Sequence, residues 1–189
     1  MQQRILTQLR SSNHGFLNSK ELISLDDPHA FDIAEADDRR RVRALAESLY
    51  QALPLVAQQQ EQEEGLVVQK LHLFVPYLYE KDVDLIVHFL SLSQELQEIE
   101  LQGLVYHYSP AAGDADTMTN LLQALLSNNK NLVKITFLNM GYGGAPQDQD
   151  KMLQALATMD KIQHVALVGC ARDFFAKGSD VLGSRLLRS

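Results

Sequence analysis

Three stretches of the chain align without a gap: LQEIELQGL from Leu96, LVKITFLNM from Leu132 and IQHVALVGC from Ile162. Each carries apolar residues at its first, fourth and sixth positions, the last two on one face of a strand. The match extends backwards, because the residues six and ten positions earlier are Leu90 and Ile86, Leu126 and Leu122, Leu156 and Met152. Spacing of four is one face of a helix, so each unit reads as helix, tight turn and short strand. A fourth strand, VQKLHLFVP from Val68, fits the same frame through Val68, Leu71 and Leu73, although the helix before it does not align in register. The starts are spaced 28, 36 and 30 residues apart, enough for one strand and one helix per unit. The extra length of the longest unit falls in GLVYHYSPAAGDAD, a loop between the strand near Leu101 and a helix opening near Thr117. An internal repeat constrains a fold strongly, since no unit buries its apolar face alone and each must stack on its neighbours.

The flanks are less regular. QQRILTQL reads as a short amphipathic helix and ELISL as a first, edge strand. A helix is expected from about Ala36 to Ala52, with Asp37 and Asp38 near its start and Val42, Leu45, Leu49 and Leu53 on one face. Pro54 marks a break or kink, and AQQQEQEEG continues as a solvated helix stopped at Gly65. The expected organisation is a mostly helical N-terminal cap over residues 1–65, four units over 66–170, and a C-terminal cap or tail over 171–189. The fold class is α/β, with parallel strands on one side and helices on the other.

The frame LxxLxL followed by a helix resembles a leucine-rich repeat protein, and the helical units are similar to those of the ribonuclease-inhibitor-like branch. The resemblance covers residues 66–170 and implies a solenoid whose strands line a concave face. At the ninth position the family carries Asn or Cys; here it holds Pro76, Leu104, Met140 and Cys170, so only Cys170 conforms and the array is divergent. An ordinary doubly wound α/β sheet is the rival architecture. Its strands are buried on both faces, whereas these alternate apolar and polar residues, as a sheet with one solvated face does.

In the repeat frame the third, fifth and seventh positions face solvent as three columns crossing four strands. The third holds Lys70, Glu98, Lys134 and His164; the fifth holds His72, Glu100, Thr136 and Ala166; the seventh holds Phe74, Gln102, Leu138 and Val168. Adjacent strands lie about 4.8 Å apart, so Glu98 is placed to pair with both lysines. That column reads either as a self-neutralising ladder or as a recognition surface. In the seventh column, Phe74, Leu138 and Val168 are apolar where the fold does not require it, which marks either a partner site or residues covered by the loop 104–115 with Tyr106 and Tyr108.

Candidate chemistry is sparse. KITFLNMGYGGAPQDQD, from Lys134, has the strand, glycine turn and helix syntax of a phosphate loop, yet Pro146 stands where a dinucleotide fingerprint needs its last glycine, and no Gly-Lys-Ser/Thr occurs. Asp148 and Asp150 at the next helix start would repel a phosphate, so Gly141, Gly143 and Gly144 read as a connector. The histidines, His14, His29, His72, His88, His107 and His164, include no pair at helical metal spacing, and no metal or cofactor is expected. Cys170 reads as a buried structural cysteine, set apart from the exposed His164. GSDVLGS lacks the nucleophile-elbow pattern G-x-S-x-G. RRRVR, Arg39 to Arg43, reads as a solvated helical face beside Asp37, Asp38 and Glu47.

With 24 acidic against 17 basic side chains and net charge −7, overall charge does not support a hold on nucleic acid. No segment has the length of a membrane span or the core of a secretory signal, and one cysteine suits a reducing compartment, so a cytoplasmic protein is expected. The leading expectation is a non-catalytic module, monomeric, that binds another protein through Lys70, His72, Phe74, Glu98, Glu100, Gln102, Lys134, Thr136, Leu138, His164 and Val168. Its short array also resembles the leucine-rich-repeat proteins that intracellular bacterial pathogens deliver into host cells. The alternatives are a small α/β enzyme using His107 or Asp114 at the strand ends, and a self-associating structural subunit.

Overall fold

The computed structural model describes residues 1–12, 15–28, 36–63, 66–75, 78–103, 115–138 and 161–168. Among these residues five strands, β1 (Phe16–Asn18), β2 (Lys70–Phe74), β3 (Glu98–Gln102), β4 (Lys134–Leu138) and β5 (His164–Val168), form one parallel sheet in chain order. Among the described residues the helices are α1 (Gln2–Ser11), α2 (Ser19–Asp26), α3 (Ala36–Gln62), α4 (Glu80–Leu92) and α5 (Ala115–Asn128). The gapless alignment of the repeats becomes a register without shift: Lys70, Glu98, Lys134 and His164 are successive Cα partners, as are His72, Glu100, Thr136 and Ala166.

The junctions repeat as well. Gln69 O accepts from the amides of Gln97 and Glu98, Gln97 O from those of Val133 and Lys134, and Val133 O from those of Gln163 and His164, all at 2.8–3.2 Å. Gly15 O makes the same pair of bonds to Gln69 N and Lys70 N. Thus β1 belongs to the repeat frame, one unit ahead of the four expected units, and takes the edge place expected for ELISL. That unit escaped the sequence pattern because His14 and Ser19 occupy positions where the others carry apolar side chains. Ser19 is fully buried and its hydroxyl accepts the Phe74 N–H at 2.6 Å, replacing an apolar contact with a hydrogen bond.

Two local expectations change. ELISL lies in α2, because Asn18 caps a helix there, its side chain accepting the Lys20 and Glu21 amides. And α3 runs through Pro54 to Gln62. The lost amide bond is tolerated because Leu53, Val56 and Ala57 around it are buried in the core. The unit helix of Met152 and Leu156, the glycines at 141, 143 and 144, the loop 104–114 and Cys170 lie outside the described residues.

One apolar core joins α1 to β4: Leu71, Leu73, Ile99, Leu101, Ile135 and Phe137 from the strands pack with Ile86, Leu90, Leu122 and Leu125 of the helices, and with Ile5, Leu49 and Leu53. Between successive units the contact is also polar. Asn129, 1% exposed, donates from Nδ2 to Leu90 O at 2.9 Å and Ser93 O at 2.8 Å, a second bond to each of two carbonyls at the end of α4 that also accept the Ser93 and Leu96 amides at 3.2 Å. Replacing Asn129 with alanine removes one of the two hydrogen bonds that each of these buried carbonyls accepts and is expected to cost about 1–3 kcal/mol. Urea unfolding checks this, as a lower midpoint at unchanged slope.

Candidate functional site on the solvent side of the sheet

The side chains that alternate with the core residues make the site. In the third column, Glu98 bridges its neighbours, Oε1 lying 2.6 Å from Lys70 Nζ and Oε2 3.2 Å from Lys134 Nζ. Lys70 holds the Glu98 carboxyl below the usual carboxylate range against the opposing effect of burial, and Lys134 adds to the lowering. Both lysine side chains remain open to water, 44% and 43% exposed, so each pair is worth less than about 1 kcal/mol. Phe16 extends this column onto β1 opposite Lys70 and is 39% exposed. His164 is exposed at the other end, on β5.

The fifth column is more enclosed. His72 is 6% exposed, and its Nε2 lies 2.8 Å from Gln102 Oε1 and 3.2 Å from Glu100 Oε1. Acceptors on that nitrogen assign the hydrogen to Nε2, leaving Nδ1 as a lone-pair acceptor that is buried and has no hydrogen-bond partner. Burial lowers the His72 pKa, although Gln102 and Glu100 favour the charged ring. The unfolded chain therefore binds a proton more readily than the folded one. The His72 contribution to stability is full above its ordinary value of 6.5 and is lost as pH falls through the lower folded value. Urea midpoints followed from pH 7.5 downward are expected to drop in this window, and a His72→Gln variant to show a shallower drop there. The depressed Glu98 carboxyl adds a separate loss, below its ordinary 4.5.

The seventh column departs from expectation. Phe74 is completely buried, packed with Ile23 of α2 and Val42 and Leu45 of α3, so it offers nothing to a partner on this face. The cover comes from the N-terminal helices; the loop 104–114, named above as an alternative cover, is outside the described residues. Gln102 is 5% exposed, Leu138 is half-buried, and Val168 is 50% exposed. Arg43, expected on a solvated helical face, is also turned inward, its side chain 13% exposed against Asp82.

Together these columns form a groove of about 400 Å³, within the range of ligand sites. Of the expected residues, Lys70, His72, Glu98, Glu100, Gln102, Lys134, Thr136 and Leu138 line it; His164 and Val168 do not, and Phe74 is removed by its burial. Phe16, Asn18 and Lys20 were missed and close its N-terminal side. Their signal in the sequence was the helix-start pattern Asn18-x-x-Glu21, which places a strand end, not a helix interior, before Ser19. Among the described residues, no group of three or more His, Cys, Asp and Glu side chains is placed to hold a metal ion, and no helix is long and apolar enough to cross a membrane.

No protein-family model and no curated protein matches the chain. The chain is similar to the solved structure of a tropomodulin C-terminal domain from Caenorhabditis elegans, with a TM-score of 0.50 at 12% identity over 99% of this chain and 94% of that one. At that identity the likeness concerns fold alone: a parallel α/β sheet of leucine-rich-repeat-like kind.

Proposed function

We propose that the chain is a non-catalytic recognition module that binds another protein through the solvent side of its sheet. In this reading the units form a short solenoid of ribonuclease-inhibitor-like type, the sheet face is its concave side, and residues 1–65, whose β1 continues the repeat frame, cap its N-terminal end. The observation that carries it is the groove across β1 to β4. The unshifted register lines up charged and apolar side chains from consecutive strands, as an extended binding surface requires. The setting inside a host cell, as a delivered effector, belongs to the same proposal and rests on the short, divergent array alone.

Photo-crosslinking tests the face. A photoreactive phenylalanine analogue at position 138, in the groove, is expected to capture a partner from a cell extract, whereas the same analogue at position 55, exposed on α3, is not. The same adduct from both positions, or from position 55 alone, would remove the sheet face as the site.

A further inference from the structure

We propose that His72 is a pH-operated latch in the lining of the groove: the neutral ring is seated against Gln102, and the protonated ring leaves that seat and reshapes the sheet face. The face is the one assigned to recognition above, but the argument and its test concern the ring itself.

The seat suits only the neutral ring. Nε2 lies 2.8 Å from Gln102 Oε1 and 3.2 Å from Glu100 Oε1, whereas Nδ1 is buried and has no hydrogen-bond partner. A neutral imidazole has one N–H and one lone pair, so it leaves no donor unmatched there. The imidazolium has two N–H donors, and the second would be buried without an acceptor. Of the charged groups in the lining, Glu100 of β3 and Lys20 of α2 act on the ring with opposite sign, while Lys70 and Lys134 are bonded to Glu98. Asn18, the Cα partner of His72 on β1, is uncharged.

Glu100 gives the release its direction. Its side chain is 39% exposed against 8% for His72, so it offers the charged ring a counter-ion nearer to water, where Nδ1–H is hydrated. Gln102, 5% exposed, then loses the partner that ties it to β2 and must rearrange as well. Burial holds the His72 pKa below its ordinary 6.5, so the seated form prevails above that value and the released form grows as pH falls through the lower folded value.

The test is an NMR titration of the isotopically labelled full chain, downward from neutral pH. Ring couplings give the tautomer and midpoint of His72, and nuclear Overhauser contacts between its ring and the Gln102 side chain report the seat. The Nε2–H tautomer is expected at neutral pH, with a midpoint below 6.5. The contacts to Gln102 should vanish with that midpoint, while amides of the core residues Leu90 and Leu122 hold their positions. Glu100→Gln should lower the midpoint and Lys20→Gln should raise it, each by about 0.2–0.7 pH units, the range of a partly exposed charge pair. An Nδ1–H tautomer, a midpoint at or above 6.5, or contacts to Gln102 that persist in the charged form overturns the latch. So does loss of the core amide signals at the same midpoint, which would mean unfolding in place of local release. The titration needs no partner, so its failure is distinguishable from a failure of crosslinking at position 138.

Discussion

Replacing Asp82 with alanine is expected to remove about 3–5 kcal/mol of stability, the usual result of stripping one partner from a buried ion pair. Asp82 is fully buried at the start of α4, and its Oδ2 accepts from Arg43 Nη2 at 2.7 Å and from the Tyr79 amide at 2.9 Å. Arg43, on α3, lies 4.8 Å from the centre of the Tyr79 ring and 6.0 Å from that of Tyr50. Its Nε and Nη1 have no hydrogen-bond partner, so Asp82 provides its hydrogen bond. A guanidinium cannot shed its proton, so Asp82→Ala would leave a charge against aromatic rings and would also uncap α4. Burial and the nearby Asp82 carboxylate push the Tyr50 phenol far above its ordinary value, so it stays neutral, its hydroxyl donating to Phe74 O at 2.6 Å. The double variant Arg43→Met with Asp82→Leu removes both charges and is expected to recover most of the loss. A double-mutant cycle from chemical denaturation checks this. A loss below about 1 kcal/mol in Asp82→Ala would mean that the guanidinium escapes to water.

Gly15→Ala is expected to destabilise by about 2–5 kcal/mol, for two separable reasons. The residue sits at φ +56°, where a side chain is strained, and an added Cβ would lie 2.3 Å from Val67 O, a backbone atom that cannot swing aside. The same residue's carbonyl accepts from Gln69 N and Lys70 N, which joins β1 to β2. Amide exchange at positions 69 and 70 should therefore accelerate along with the fall in denaturation midpoint. Gly15→Asn separates the causes, because asparagine accepts positive φ but still brings a Cβ. A variant as damaging as alanine identifies the collision, and a mild one identifies the conformation. The groove should suffer in either case, since Phe16 and Asn18 close its N-terminal side.

Much of the groove was legible beforehand because it depends on local rules. Alternation along a strand tells which side chains leave the core, and a gapless repeat tells which stand beside each other, so Glu98 between Lys70 and Lys134 follows from spacing alone. The misses share a cause. β1 was hidden because Ser19 satisfies its buried position with a hydrogen bond to Phe74 N, which an apolar pattern cannot register. Arg43 looked solvated because its neighbours in sequence are charged, while its partner Asp82 lies 39 residues away on another helix.

By itself, then, the sequence determined the unit: strand and helix, the inward Leu71, Ile99 and Ile135, and the outward columns from β2 to β5, all properties of neighbours a few residues apart. Only the tertiary structure decided which outward side chains meet solvent. Phe74 and Leu138 occupy the same position in their units, yet Ile23, Val42 and Leu45 cover the first while the second lines the groove. Facing is set by the backbone's local geometry, whereas burial is set by whichever distant segment packs on top.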